Sequence, residues 1–412
     1  MRVQELVNEL VRAIDPCERA VVDLWRKSRL RRGTIINYLY WVRRFRKYCE
    51  KRRLVETEQL TVSGMVSFLR AYIGPRLKKR TSAQNSRDLA NNALHAWACA
   101  LQTLGTPLPQ WREKQIPSLP PLLDEYRQYR RVHNGASEGT LIRDLETAGS
   151  FLRHLQRRMK SIEQMTLVDV DAFVRALSTR LAKRTVADTC SSLRAFLRFL
   201  QITGKLSVDL ASGVIAPRYR IDERPPRALP WKDVQKILRV ISRSQPPGKR
   251  DFAVLLLLAT YGLGAAEVLA LRLQDVDWRA GILKAWRPKT KVGIELPLLP
   301  AVAKALIAYI REERPLAPSL EHIFLRKNMP YERMTGSAIR HRIRHYARLA
   351  GIRAKLIGAH VFRHSHAGRQ VDAGANIKVV SDILGHRSPS STSIYVRVAF
   401  KRLRAVGLPV PR

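Results

Sequence analysis

Histidines are concentrated near the end of this 412-residue chain, with an arginine and a tyrosine at spacings suited to phosphate chemistry. His360 is followed three residues later by Arg363, and a further histidine, His386, precedes Tyr395 by nine residues. Between residues 353 and 412 there are eleven Lys+Arg and two acids. In such a setting a phenol can attack a phosphodiester and keep the energy of the broken bond in a phosphotyrosine. A lone tyrosine would more often pack on a helix, but these motifs together favour the phosphate chemistry.

Zinc binding is the first alternative for these histidines. Six of the ten histidines lie after residue 340, and His360 and His364 have the spacing of two ligands on one helix face. The glutamate of an HExxH motif is absent, because Val361 follows His360. We therefore predict no metal and no other cofactor, and expect imidazole and guanidinium groups to surround a phosphate.

Two other kinds of chemical site are weakly supported. Residues 262–264 (GLG) follow an apolar run, as in a dinucleotide-binding turn, but Glu267 stands where the third glycine belongs. A two-metal nuclease needs clustered carboxylates, and the candidates are Asp251, Asp275 and Asp277. Asp275 and Asp277 lie where a helix-to-strand turn needs polar residues, so a structural role is favoured for these acids.

The net charge of the chain points to a polyanionic partner. The sequence has 75 Lys+Arg and 34 Asp+Glu, which gives a formal net charge of +41. A small soluble domain usually carries a net charge of magnitude about 2 to 8, so an excess of this size implies neutralisation by phosphates. Double-stranded DNA is the predicted partner. A membrane surface is the weaker alternative and is not predicted, and an RNA-binding role has only the charge in its favour.

The cysteines and the apolar segments favour an intracellular protein. The four cysteines, Cys17, Cys49, Cys99 and Cys190, include no CxxC pair, so a reducing compartment is expected. The N-terminal sequence is amphipathic and carries acids, unlike a signal peptide, and the longest apolar run, residues 252–261, is too short to span a bilayer. We expect a cytoplasmic protein of bacterial type, associated with the nucleoid.

Proline-rich stretches divide the chain into modules. Residues 106–121 contain five prolines and residues 216–230 contain four, with little hydrophobic periodicity, as is typical of extended linkers. The predicted organisation is a first helical module at 1–115, a second at 116–215, a linker at 216–230 and a third segment at 231–412.

The first two modules resemble each other in sequence. Residues 33–36 (GTII) are similar to residues 139–142 (GTLI), and residues 79–81 (KRT) recur as residues 183–185, in the same order along each module. Chance similarity between helical segments is the alternative. Apolar residues at three- and four-residue steps along 141–155 indicate one face of a helix. Each module is therefore predicted to be a small helical bundle with basic faces turned towards phosphates.

The third segment combines helices with short strands. Residues 251–261 are predicted to form a buried helix, and residues 275–294 contain short apolar runs typical of strands, interrupted by a turn at 289–291. Helices resume near residue 300. The predicted fold class is mainly α with a small antiparallel β-sheet, as two helical bundles followed by a mixed α/β domain.

This last segment resembles the tyrosine recombinases, also called phage-integrase-type site-specific recombinases. The resemblance covers about residues 228–400 and rests on the stretches 261–272, 275–278 and 287–290, followed by the HxxRH, LGH and tyrosine motifs. Those three motifs in that order are highly specific. The module at 116–215 is similar to the family's core-binding domain, and the first module is similar to a second copy of it or to an arm-like domain.

The resemblance implies a role for each matching residue. Tyr395 would be the nucleophile, and Arg363 would hold the nonbridging phosphate oxygens through its planar fork of donors. His360 and His386 would donate hydrogen bonds to the same phosphate and assist proton transfer. The product of the attack would be a 3′-phosphotyrosine.

The resemblance also implies the leaving-group chemistry and the assembly. Lys289, on the turn between strands, would be the general acid for the 5′-hydroxyl, with Lys291 as the alternative. No metal or ATP would be needed, because cationic side chains supply the charge and strand exchange conserves bond energy. The active form would be a tetramer of identical or mixed recombinase subunits on DNA, serving integration, excision or transposition of a mobile element.

One position departs from the family pattern. Gly264 stands where the family's first arginine is expected, three residues before Glu267. Arg272 lies eight residues further on, about 12 Å along a helix, and cannot easily substitute. Weak cleavage is therefore expected unless another basic residue fills the gap. The alternative function is a catalytically weak or inactive DNA-binding partner that acts with active recombinases.

Overall fold

A computed structural model describes residues 15–28, 30–73, 80–111, 119–218, 228–288, 292–315, 320–327, 331–353 and 357–385. Across these residues the chain is mainly helical, with a three-stranded antiparallel sheet, as the sequence predicts. Residues 114–224 form one compact unit, and residues 1–113 and 225–412 form another. No helix in the described ranges is both long enough and apolar enough to cross a membrane.

The N-terminal helices pack around large aromatic side chains. They are α1 (Pro16–Lys27), α2 (Arg32–Lys51), α3 (Glu56–Gln59), α4 (Val62–Ile73) and α5 (Arg80–Thr103). Helix α1 begins with Pro16 at its first position, and the Asp15 carboxylate accepts the Glu18 N–H at 2.7 Å. Trp25 and Trp97 are fully buried with their rings edge to face, so the bundle has an aromatic core of its own.

Residues 114–224 repeat the same helix order. Their helices are α6 (Pro121–Val132), α7 (Glu138–Arg157), α8 (Leu167–Ser178) and α9 (Lys183–Ile202). The lengths of α6, α7 and α8, which are 12, 20 and 12 residues, equal those of α1, α2 and α4. The two similar sequences therefore fold into helices of the same order and nearly the same length.

The C-terminal segment surrounds one buried helix. Its elements are α10 (Trp231–Arg239), α11 (Gly248–Tyr261), α12 (Ala265–Ala270), β1 (Val276–Asp277), β2 (Ile282–Arg287), β3 (Val292–Pro297), α13 (Pro300–Glu312), α14 (Gly336–Leu349), α15 (Ala359–Asp372) and α16 (Ile377–Leu384). Helix α11 is the predicted buried helix, and Val254, Leu255 and Leu258 on it are inaccessible to solvent. It contacts α13 and α15, which places the functional helix α15 directly on the core.

Strand β2 ends with a charged residue on its buried face. Strands β2 and β3 pair antiparallel, with Ile282 opposite Pro297 and Arg287 opposite Val292. Alternate residues of β2, which are Leu283, Ala285 and Arg287, are buried. Since successive strand side chains point to opposite faces, the core-facing row of β2 ends with an arginine.

Asp251 lies at the centre of a buried polar network. Its side chain is inaccessible to solvent and pairs with Arg250 at 2.8 Å and with Arg342. The Tyr346 hydroxyl donates to the same carboxylate at 2.9 Å. Every partner comes from the core of the segment, so Asp251 is a structural carboxylate, and the nuclease interpretation does not apply to it.

Replacing Asp251 by alanine is expected to lower the free energy of unfolding by about 3–5 kcal/mol, because the buried Arg250 and the partly buried Arg342 lose their counter-charge. Chemical denaturation of the full chain, followed by circular dichroism, measures the change. Glu295→Ala is the matched control, because Glu295 is 65% exposed and 3.8 Å from Lys284; it should change stability by less than about 0.5 kcal/mol. Equal effects of the two substitutions would show that the network contributes no special stability.

Candidate active site

Helix α15 carries the arginine of the predicted phosphate site. The Arg363 side chain is 12% exposed, and its Nη1 lies 3.4 Å from Oε1 of Glu267 on α12. Its Nη2 donates to the carbonyl oxygen of Leu384, the last residue of α16. A guanidinium held from two sides in this way is preorganised to present its remaining donors to an anion.

Position 264 faces this arginine. Gly264 is the N-cap of α12, with φ −76°, and its N–H donates to Oε2 of Glu267 at 3.0 Å. A Cβ atom built on Gly264 would lie 3.6 Å from the Glu267 carboxyl group and 3.8 Å from Arg363 Nη1. The backbone is therefore compatible with any residue, and the position points into the site. The glycine that requires a positive φ is Gly262, at +63°, where α11 ends.

A second arginine is held by the same helix end as Arg363. Arg287, at the end of β2, is 7% exposed and donates to the carbonyl oxygens of Asp382, at 3.4 Å, and Ile383. Burial lowers the pKa of Arg287, the nearby Glu267 carboxylate opposes this, and the positive charge of Arg363 lowers the pKa further. Arg287 therefore lies within the electrostatic reach of both groups.

No motif in the sequence indicates a role for Arg287. The signal for it was the two-residue alternation of β2, which places Arg287 in the same row as Leu283 and Ala285. An arginine in a core-facing row must be paired with something, because a buried charge without partners is costly. Its partners come from α16, almost one hundred residues away in the sequence, so no local motif reveals them.

The C-terminal end of α16 connects the two arginines to the LGH motif. Gly385 ends this helix with φ +66°, a conformation that glycine adopts without a steric penalty. A Cβ atom on Gly385 would collide with the guanidinium of Arg287. The glycine thus allows Arg287 to approach the helix end, immediately before the predicted site residue His386.

The histidines of α15 differ in environment. His360, near the start of the helix, is exposed, and its ring centroid lies 6.5 Å from that of His364. His366 is 5% exposed and its Nδ1 lies 3.1 Å from the carbonyl oxygen of Ala259. Burial lowers the pKa of His366, although this hydrogen bond opposes the shift. His366 is therefore a core residue, whereas His360 is exposed to solvent.

The described structure contains part of the predicted site. His360 and Arg363, three residues apart, share one face of the first turns of α15, and Arg363 lies next to Gly264 and Glu267. Lys289, Lys291, His386 and Tyr395 lie outside the described residues, so their roles stay predictions. Within the described ranges, no group of three or more histidine, cysteine or acidic side chains is arranged to hold a metal ion.

Comparison with known proteins identifies the family. Residues 227–402 match the model of the phage integrase family, and residues 21–99 and 123–203 each match its N-terminal SAM-like domain. The integrase/recombinase y4rF of Sinorhizobium fredii is 37% identical over 301 residues, which cover 70% of this chain and 69% of that protein. The chain belongs to the phage integrase family, the tyrosine recombinases. The predicted family and fold class are confirmed.

Other members place this recombinase in a broad family. The tyrosine recombinase XerD of Proteus mirabilis is 31% identical over 247 residues, covering 59% of this chain and 77% of XerD. Among solved structures, a lambda integrase tetramer bound to a Holliday junction gives a TM-score of 0.54 at 17% identity, over 66% of this recombinase and 76% of that chain. At that identity the structural likeness concerns the fold alone.

Proposed function

We propose that this recombinase cleaves and rejoins DNA strands at specific sites through a 3′-phosphotyrosine at Tyr395. The observation that carries the proposal is the position of Arg363, which is fixed between Glu267 and the carbonyl oxygen of Leu384. Leu384 itself lies two residues before His386. This arrangement lies inside the segment that matches the phage integrase family. An arginine held by a carboxylate and a helix end, with an exposed histidine on the same helix, suits a phosphodiester.

The chemistry consists of two transesterifications. The Tyr395 phenol gives its proton to a histidine of the site, its oxygen bonds to phosphorus, and the P–O5′ bond breaks; Lys289 gives a proton to the departing 5′-oxygen. A 5′-hydroxyl from the second DNA then attacks the phosphotyrosine and releases the phenol. Arg363, with His360 and His386, stabilises the charge that builds up on the nonbridging oxygens. Bonds broken and formed balance, so the reaction requires no cofactor.

The proposed domain organisation follows the sequence modules, with helical DNA-binding modules at 1–115 and 116–215, a linker at 216–230 and a catalytic domain at 231–412. The modules and the catalytic domain would grip duplex DNA mainly through its phosphates, which suits a net charge of +41. We further propose a tetramer of identical or mixed subunits, as in the lambda integrase tetramer on a Holliday junction. The recombinase would act in the cytoplasm, on the nucleoid, and its DNA substrate would belong to a mobile element.

A non-catalytic DNA-binding partner is the second candidate, and Gly264 is the feature in its favour. The relatives described above are named as recombinases and integrases, and Arg363 is held next to position 264 by Glu267 and the Leu384 carbonyl. These observations favour the enzyme.

Covalent capture tests the proposal. Duplexes that bind the full chain are selected from a random-sequence pool and nicked near the cleavage point, so that the cleaved strand end diffuses away. The denatured mixture should contain a protein–DNA adduct, and peptide mapping should place the DNA on Tyr395. Tight sequence-specific binding without any adduct would favour the non-catalytic alternative.

Affinity for DNA is expected to fall steeply with salt, by a slope of about −0.9 in log K against log salt for each neutralised phosphate. Lys183 is exposed at the start of α9, where the helix N-terminus also favours an anion. Lys183→Gln should reduce the slope by about one. The control is Arg175→Gln, because Arg175 is paired with Asp171 at 2.6 Å. A slope unchanged by Lys183→Gln would remove α9 from the proposed interface.

A further inference from the structure

We propose that Arg287 is a catalytic residue that supplies the second guanidinium of the phosphate site, in place of the arginine missing at Gly264. The inference rests on the proposed function. It assigns a role to a side chain that comes from the sheet, whereas position 264 begins a helix.

Two guanidinium groups converge on one helix end. Arg287 donates to the carbonyl oxygens of Asp382 and Ile383, and Arg363 donates to that of Leu384, so three consecutive carbonyls at the end of α16 hold both cations. These carbonyls form the negative end of the helix dipole. They fix both arginines immediately before the glycine and histidine of the LGH motif.

A purely structural helix cap does not account for this pairing. The unpaired carbonyls of a helix C-terminus can accept hydrogen bonds from both arginines, but two guanidinium groups held at one helix end also repel each other. With Glu267, the two arginines leave one net positive charge at the site, which matches the single negative charge of a phosphodiester. Without Arg287 the sum of Arg363 and Glu267 is zero. Among the described side chains, Arg287 therefore supplies the excess positive charge that helps to bind and stabilise a phosphate, in addition to the charge of Lys289 in the proposed site.

Arg287 also has one hydrogen-bond donor without a partner among the described residues. This donor is its buried Nε, although buried donors in folded proteins are nearly always paired. Nε and one Nη of an arginine form the fork that binds two oxygens of a phosphate. A phosphate between Arg287 and Arg363 would satisfy this donor.

Arg272, the other nearby arginine in the sequence, is not available for this role. It is half exposed and paired with Glu321 at 2.8 Å. Its ion pair with Glu321 agrees with the sequence prediction that it cannot easily replace the residue at 264. The described residues thus offer Arg287 as the cation next to Arg363.

Single-turnover adduct formation on the selected nicked duplex tests the assignment. The full-length variants are Arg287→Met, which keeps an unbranched apolar stem and removes the charge, Arg287→Lys, Gly264→Arg, and the double variant Arg287→Met with Gly264→Arg. Each is measured on an ordinary duplex and on one with an uncharged methylphosphonate at the scissile position. DNA affinity and melting temperature are recorded for all.

Arg287→Met is expected to slow adduct formation by about 10²- to 10³-fold with little change in DNA affinity, and Arg287→Lys should fall between it and wild type. The added Gly264→Arg should restore most of the loss, whereas alone it should give no gain. The methylphosphonate should largely remove the difference between wild type and Arg287→Met, because the charge to be neutralised is gone.

Other outcomes overturn the assignment. If Arg287→Met reacts as fast as wild type, Arg287 takes no part. If it is slow, but neither the arginine at 264 nor the neutral phosphate restores the rate, Arg287 only holds the end of α16 in position. If wild type itself forms no adduct, the proposed function fails. That result differs from the two outcomes above, in which wild type is active.

Discussion

Replacing Tyr395 by phenylalanine is expected to abolish covalent attachment to DNA while leaving DNA affinity nearly unchanged. The substitution removes one oxygen, the atom that must bond to phosphorus. Affinity depends instead on phosphate contacts spread over a chain with a net charge of +41. Removal of the nucleophile from another covalent enzyme slows it by about 10⁶-fold, so the adduct should disappear from a denaturing gel. Filter binding on the same duplex measures affinity.

The matched control for Tyr395→Phe is Tyr129→Phe. Tyr129 lies on α6, partly buried against Phe199 and distant in sequence from the catalytic segment. It loses the same oxygen, and its adduct formation should equal that of wild type. An adduct that persists in Tyr395→Phe at the wild-type rate would assign the nucleophile elsewhere, and peptide mapping of that adduct would locate it.

The elements with strong local signals were predictable from the sequence. The buried helix at 251–261, the strands around β2 and β3, and the similar helix order of the two bundles follow from hydrophobic periodicity, turn residues and repeated motifs. The structural interpretation of Asp251 was also correct. Its partners Arg342 and Tyr346 lie about ninety residues away, and no sequence pattern could show them.

The convergence of Arg287 and Arg363 on one helix end could not be predicted from local sequence patterns. Each arginine is held by carbonyl oxygens at the end of α16, and backbone atoms carry no signal in the sequence. The sequence did show that position 264 lacks an arginine. Whether a glycine there leaves a deficient site depends on which side chains reach the same point from β2, and only the tertiary structure determines that.

Arg363→Ala is expected to reduce the single-turnover rate of adduct formation by about 10³-fold or more. Loss of one preorganised donor typically costs about 10²- to 10³-fold, and Arg363 is also the counter-ion of Glu267 at 3.4 Å. Without it, a partly buried carboxylate faces the phosphate and repels it. Arg363→Lys should be intermediate, because lysine keeps the charge and loses the planar fork of donors.

Arg369→Ala is the matched control on the same helix. Arg369 is exposed, and its guanidinium stacks over the Trp231 ring at 4.2 Å, away from Glu267. Its replacement should leave the rate of adduct formation within about twofold of the wild-type rate. An exposed cation–π contact contributes about 0.5–1 kcal/mol, and here that contribution is to folding stability. Thermal melting of both variants separates a loss of chemistry from a loss of fold.

A second substitution isolates the repulsion. Adding Glu267→Gln to Arg363→Ala removes the unpaired negative charge, while the glutamine amide oxygen can still accept the Gly264 N–H that caps α12. The double variant should therefore form adduct faster than Arg363→Ala alone, although more slowly than wild type.

If Arg363→Ala is as active as wild type, the phosphate does not bind at Arg363. If it is slow and Glu267→Gln gives no recovery, the carboxylate does not face the phosphate, and the effect of Arg363 is confined to its own hydrogen bonds.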